Sequence, residues 1–282
     1  MLATMQFQRH YLAACFCLLC VFCLTGPVSG EISWQELEKG LFLAEFIYPD
    51  QDTDDKQKLI VLQIDPEFFQ FKLLAASEPG REMQTLSEWA EQYRLQAVIN
   101  AGMFWKDRET STGFMKNFDH INNNKVHPDY GAFLLFNPKI EGLPEVQVLD
   151  LYERKDWEKF TENYYTAIQN FRLISAARKN AWRHSTDNQK HSAAAIGQDE
   201  QGRIYFLLSP RQYTLKHFTD ILLQLPIHLK QTLFVEGGAT AGLHVNTDKL
   251  EQEWHGDSDN TLWSNKAGQF FKIPNVIGIK RK

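Results

Sequence analysis

Along most of this chain the apolar residues alternate or run together in short blocks, and only two stretches space them as a helix would. Residues 41–48 and 59–64 read as strands joined by an acidic turn at 50–58, and 69–74 follows as the third strand of an antiparallel meander. Thr85-Leu-Ser-Glu88 then has the spacing of a capping box, and Leu86, Trp89, Ala90 and Tyr93 share one face of the helix it opens. A strand at 96–100 comes next. Strands at 131–136 and 164–169 flank a short polar helix at 156–162. Residues 193–197 and 203–209 form a hairpin about the turn at 199–202. A second helix begins near Thr214, turns Leu215, Phe218, Ile221, Leu222 and Leu225 inward, and stops at Pro226. Short strands at 232–235, 243–245 and 276–279 complete the pattern. Strands and helices mix without regular alternation, and neither a repeat nor a long linker divides them. The pattern predicts one α+β domain over 31–282, a mixed or antiparallel sheet packed against a few helices.

The first thirty residues stand apart. They carry one charge, Arg9, then the apolar run 12–24, then Gly26-Pro27 and the small residues Val28-Ser29-Gly30. That is the layout of a secretory signal peptide cleaved before Glu31, and a bilayer span needs ~20 apolar residues, more than this run supplies. The expected product is exported, periplasmic or secreted, with no membrane span after cleavage. All four cysteines lie in this segment, at 15, 17, 20 and 23. The remainder therefore has no disulfide, thiolate nucleophile or zinc–cysteine site. Removing the segment takes one of 30 basic residues and none of 35 acidic ones, moving the formal net charge from −5 to −6. A broad nucleic-acid surface does not fit that balance.

Candidate chemistry centres on Gln231-Thr-Leu-Phe-Val-Glu-Gly-Gly-Ala-Thr-Ala-Gly242. A buried strand there ends in a carboxylate, Glu236, followed by Gly237 and Gly238. Two glycines free the backbone for close approach, and their amides can cradle an anion. Thr240 adds a hydroxyl. Asn100-Ala-Gly-Met-Phe104 also follows a strand and brings an amide and a flexible backbone to its end. Gln169, Asn170 and Arg172 interrupt an otherwise apolar stretch at 167–175. An arginine there either grips a phosphate with paired N–H donors or balances an acid on the sheet. His191-Ser192 opens a strand of small residues. Trp254 and Trp263 flank the polar loop Asp257-Ser-Asp-Asn260 and suit a sugar face. That loop lacks the spacing of a calcium loop. There is no nucleophile elbow, zinc-protease helix, Walker loop or dinucleotide fingerprint, and neither metal nor cofactor is expected.

Taken in order, Asn100-Ala-Gly-Met-Phe104, Gly113-Phe-Met-Lys116, Gly131-Ala-Phe133, Gln169-Asn-Phe-Arg172, Ser192-Ala-Ala-Ala-Ile-Gly197 and Phe234-Val-Glu-Gly-Gly238 resemble the phosphodiester glycosidase family. The resemblance runs from about residue 59 to the C-terminus and is greatest to compact exported bacterial members. It implies an α+β fold and removal of a sugar from a phosphodiester, in cell-envelope or exopolysaccharide metabolism. It also implies roles: Glu236 as nucleophile, base or countercharge to a cationic sugar carbon, with Asn100 and His191 in the catalytic set. Lys116, Arg172, Gly237 and Gly238 would seat the phosphate, while Gln169, Ser192 and Thr240 would contact substrate. Two departures stand out: Glu236 replaces the family's usual Asp, and His191 stands where Arg is frequent. A non-catalytic glycan-binding or assembly protein on the same fold is the alternative. A metal-assisted phosphodiesterase using Glu236, Asp257 and histidines is a third.

Overall fold

The computed structural model describes residues 33–49, 56–257 and 271–282. The expected signal segment, most of the 50–58 turn, Ser258-Asp259-Asn260 and Trp263 lie outside the described residues. In chain order the strands are β1 (Gln35–Glu38), β2 (Leu41–Pro49), β3 (Lys56–Ile64) and β4 (Phe69–Ala75), then helix α1 (Leu86–Tyr93) and β5 (Ala97–Asn100). Next come β6 (Met115–Asn117), β7 (His120–Asn123), β8 (Ala132–Pro138), β9 (Val146–Asp150) and α2 (Trp157–Thr161). They are followed by β10 (Tyr164–Asn170), β11 (Arg172–Ile174), β12 (His191–Asp199), β13 (Ile204–Tyr213) and α3 (Leu215–Gln224). The chain closes with β14 (Leu229–Gly237), a 3-10 turn at Gly238–Thr240, β15 (Gly242–Thr247), β16 (Leu250–His255) and β17 (Asn275–Arg281).

These strands form three antiparallel sheets. Their orders are β1-β2-β3-β13-β12-β14-β11, β7-β6-β10-β8-β9 and β16-β15-β5-β17-β4. The inner faces of all three meet in one core, which takes Ile60, Leu62 and Phe206 from the first, Leu134 and Ile168 from the second, and Ile99 and Ile277 from the third. A helix covers each outer face. Helix α3 lays Phe218, Ile221 and Leu222 on Leu59, Val61 and Leu207 of the first sheet, and α1 lays Leu86, Trp89 and Ala90 on Val98 and Val276 of the third. Trp157 and Phe160 of α2 pack on Phe133 and Tyr164 of the second. Burial on both faces explains the unbroken apolar runs. In β3, Leu59 and Val61 face one cluster while Ile60, Leu62 and Ile64 face the other.

The local signals hold. Glu88 N–H donates to the Thr85 hydroxyl, and the Glu88 carboxylate accepts from Thr85 N–H at 2.8 Å, closing the capping box. Thr214 caps α3 by accepting from His217 N–H. Longer-range expectations needed correction. The fold is dominated by sheet, so α+β describes it only loosely. β4 does not continue a meander with β3. A turn in which Phe68 N–H donates to the Asp65 carbonyl carries the chain into the third sheet, where β4 pairs with β17. The stretch 167–175 is not one strand. It breaks at Phe171, whose carbonyl accepts from Phe234 N–H, and passes from the second sheet to the first as β10 and β11. Among the described residues, no helix is long and apolar enough to cross a membrane.

Candidate active site

The end of β14 is aimed by a bulge. Phe234 pairs with Ala195 and Glu236 with Ala194, so Val235 is an extra residue in the ladder. A bulge bends a strand and redirects the side chain beyond it, and here it delivers Glu236 into the protein, 6 % exposed. Oε1 accepts from Gly237 N–H at 2.9 Å, while Oε2 accepts no hydrogen bond from any described group. Burial holds the Glu236 carboxyl far above the usual range, at about 8, against smaller opposing effects of the Gly237 amide and the Thr240 hydroxyl. At neutral pH this side chain is a neutral acid, not the carboxylate that the sequence suggests.

Asn100 and its neighbours hold the turn after Glu236 in place. Asn100 Nδ2 donates to the Thr240 carbonyl at 2.9 Å, and Oδ1 accepts from Gly242 N–H at 2.8 Å. The Thr240 hydroxyl donates to the Gly237 carbonyl at 3.2 Å. Gly238 sits at φ +69° with open space where a Cβ would project, so a glycine suits the backbone there rather than the packing. The Ala101 carbonyl accepts from Asn170 Nδ2 at 3.0 Å. The Met103 carbonyl accepts from the Thr112 hydroxyl at 3.3 Å. Asn100-Ala-Gly-Met-Phe104 therefore works as a bracket between the third sheet and the Glu236 turn.

Tyr130 is the member of the site that sequence reasoning missed. Its ring is buried against Phe171 and stacked on His127 at 4.0 Å. Its hydroxyl lies 2.8 Å from Thr112 Oγ1. Since the Thr112 proton goes to Met103, the phenol donates to Thr112. Burial foremost, then the charge of Glu236, raises the phenol's pKa, which places the two side chains within electrostatic reach. Nothing in the sequence marks Tyr130, because it comes from a loop. Gln169 fixes that loop: Nε2 donates to the His127 and Tyr130 carbonyls at 2.9 and 2.8 Å, and Oε1 accepts from His127 and Phe114 N–H. Gly113 lets the loop close, since a Cβ there would stand 2.5 Å from the Gln169 carbonyl oxygen. Tyr130 also lines a cavity of about 300 Å³ with His127, Tyr152 and Trp157.

Several expected site residues have other work. The Gln169 amide is saturated by backbone and positions Tyr130 instead of meeting a ligand. Arg172, expected in the Glu236 cleft, donates from Nη1 to both oxygens of buried Asp150 at 2.9 Å and lies over the Tyr152 ring. Lys116 pairs with Ala167, which belongs to the outer cluster of the second sheet, so it stands on the face turned away from the common core. Ser192 is buried. Its hydroxyl donates to the Pro210 carbonyl and accepts from Asp257 N–H at 2.7 Å, tying two loops together. The Gly237 amide serves Glu236 itself and not an anion. His191 is exposed, with its Cβ 3.6 Å from the position a Gly237 Cβ would take. Trp254 is half-buried and packs against the common core. Among the described residues, no three His, Cys, Asp or Glu side chains converge as a metal site. The structure thus brings together Glu236, Gly237, Thr240, Asn100, Thr112 and Tyr130.

Comparison with known proteins bears on this site. The family model described as phosphodiester glycosidase matches residues 93–280. That interval holds Asn100, Tyr130, Gln169 and Glu236. The zebrafish N-acetylglucosamine-1-phosphodiester alpha-N-acetylglucosaminidase catalytic domain, auto-inhibited by its pro-peptide, has a similar fold. It superposes with a TM-score of 0.63 at 14 % identity, over 89 % of this chain and 87 % of that one. A hypothetical protein from Synechocystis superposes with a TM-score of 0.60 at 13 % identity, over 89 % of this chain and 64 % of its own length. No curated protein matches the sequence.

Proposed function

This chain belongs to the phosphodiester glycosidase family, and from that premise we propose that it is an exported hydrolase releasing a sugar from a glycosyl phosphodiester of the cell envelope or of an exopolysaccharide. The observation that carries the reading is Glu236: a buried carboxyl with one oxygen committed to Gly237 N–H and the other without a partner. A group held in that condition costs stability unless it meets a ligand.

Glu236 acts as the proton donor. Held neutral near pH 7, it tolerates an anionic phosphodiester alongside, which a carboxylate would repel. Water attacks the anomeric carbon while the bond from that carbon to the phosphate oxygen breaks. The bonding pair leaves with the phosphate oxygen, which takes the Glu236 proton, and the attacking water returns a proton to Glu236. Thr240, the Gly237 amide and the Asn100 bracket fix the carboxyl, and positioning of this kind matters because ~1 Å of misplacement costs ~100-fold in rate. The aromatic cavity beside Tyr130 is the place for the sugar ring.

The test is hydrolysis of UDP-N-acetylglucosamine, with free N-acetylglucosamine as the product measured. Turnover lost on Glu236→Gln supports the assignment. A parent that never releases the sugar removes it and leaves glycan binding as the function. Export is tested by sequencing the secreted protein, whose N-terminus should be Glu31.

A further inference from the structure

A second cavity, of about 520 Å³, lies between edge strand β4 and the β6–β7 hairpin, and none of its lining residues belongs to the Glu236 site. Asn117 pairs with His120, which leaves Phe118 and Asp119 as the two residues of the hairpin loop. Of these, only Phe118 has a positive φ, +51°. That pattern belongs to a II′ turn, whose first loop position is normally glycine. A bulky side chain at positive φ is a genuine outlier, and such strain gathers where a protein binds something.

The strained residue does not bury its ring. Phe118 is 48 % exposed and Tyr165 is 42 % exposed. Their rings stack at 5.0 Å with 16° between planes, so Tyr165 backs one face of Phe118 and leaves the half-exposed Phe118 ring braced at the wall of the cavity. The hairpin is held against β4, because Asn117 Nδ2 donates to the Leu73 carbonyl at 3.1 Å and to Glu78 at 3.2 Å. Polar groups line the wall. Arg81 pairs directly with Glu78, and Lys72 and Asp119 line the same cavity, so the charges balance and favour a ligand without net charge.

We infer that the Phe118 ring, braced by Tyr165, and the polar cavity it lines form a second binding site, for a neutral polysaccharide segment. A pyranose ring is apolar on its C–H face and carries hydroxyls around its rim. It therefore matches an exposed aromatic plane beside fixed donors and acceptors, just as amphipathic rings do elsewhere. The site stands apart from Glu236, and its occupancy is read without turnover.

The experiment is calorimetric titration of Glu236→Gln protein with chitohexaose, cellohexaose and maltohexaose. At least one should bind saturably. Adding Phe118→Gly should weaken that binding at least tenfold while the melting temperature stays level or rises, since glycine relieves the turn. Lys72→Ala, remote from the strained turn, should weaken it as well. Three sugars that do not bind, or unchanged affinity in either variant, would overturn the inference. A fall in melting temperature on Phe118→Gly with affinity retained would assign the ring to the fold instead.

Discussion

Two acids are buried at opposite ends of the β12–β14 ladder, and they are treated in opposite ways. Asp199 lies where β12 meets Leu229, and Glu236 lies beside Ala194. Asp199 Oδ1 accepts from Gln201 and Arg203 N–H at 3.0 and 2.9 Å. Its Oδ2 accepts from Arg203 Nε at 2.5 Å and from the Tyr205 hydroxyl at 2.9 Å. Burial, then the neighbouring carboxylate, pushes the Tyr205 phenol well up, which keeps it a donor. Four donors make Asp199 a fixed ion that organises its own turn. Glu236 has one backbone donor and an unpartnered oxygen, and burial takes away its charge. The same residue class, in the same sheet and at the same depth, closes a hairpin in one place and stands ready for a ligand in the other. What separates them is the count of donors, which burial alone does not report.

The comparison breaks most visibly at the satisfied end. Asp199→Ala strips four hydrogen bonds, leaving the Tyr205 hydroxyl only Gln63 and the Arg203 guanidinium only Gln201 as side-chain acceptors. The charge left behind, Arg203, is 38 % exposed and reaches water, so the cost is the lost hydrogen bonds, ~1 kcal/mol each, and stays below that of stranding a buried charge. The urea midpoint should fall accordingly, with turnover per folded molecule unchanged. Arg172→Ala also acts on the fold, because Asp150, 2 % exposed at its side chain, would keep only the Tyr152 and Ala176 N–H donors. It should weaken the fold and affect sugar-phosphodiester and free-sugar binding equally. A loss confined to the phosphodiester would return Arg172 to the phosphate seat.

At the other end the expected loss is in rate. Glu236→Gln should cut turnover by ~100-fold or more, the scale of one proton-transfer group. Its effect on stability should have the opposite sign. The folded-state pKa is raised, from 4.5 to about 8, so between those values the native state holds a proton that the unfolded state has released. Stability of the parent therefore declines as pH rises through that window, by about 3 kcal/mol at pH 7. Glutamine carries no such penalty. The variant should melt above the parent at pH 7, by a margin that vanishes near pH 4. Equal melting at both pH values would mean that Glu236 is solvated.

The same shift gives turnover a shape. As an acid, Glu236 supports catalysis while protonated, so kcat should hold level below pH 8 and fall tenfold per unit above it. A profile that rises through pH 8 would recast Glu236 as the base that activates water.

How far the chain announced all this depends on the range of the interaction. The capping box at Thr85, the α3 face and the Asp199 hairpin rest on neighbours in sequence, and they were legible. So was Glu236, because an acid between a buried strand and two glycines is conspicuous. The division into three sheets was not legible, because β4 and β17 pair across some two hundred residues, and a strand buried on both faces looks alike in any sheet. The Val235 bulge that buries Glu236 has no signature either, since valine suits a strand with or without it. Arg172 left two readings open, phosphate or acid, and Asp150 decided between them from 22 residues away. Asn100 and Gln169 stood out as amides expected to meet a ligand, yet both are buried and their partners are carbonyls and N–H groups that no sequence pattern displays.

Tyr130 offers the smallest effect and the finest discrimination. Its hydroxyl donates to Thr112, and its ring fills the space between His127 and Phe171. Tyr130→Phe keeps the ring and removes only the hydroxyl, so the fold should lose about 1 kcal/mol, one neutral hydrogen bond. Thr112 keeps its bond to Met103 and is not left unsatisfied. If Tyr130 merely lines the sugar cavity, KM should rise a few-fold with kcat unchanged. If its hydroxyl also steadies the Glu236 carboxyl, kcat should fall about tenfold and the alkaline limb of the pH profile should move, because the environment that sets the Glu236 pKa has changed. A kcat and an alkaline limb both identical to those of the parent would confine the role of Tyr130 to the cavity wall.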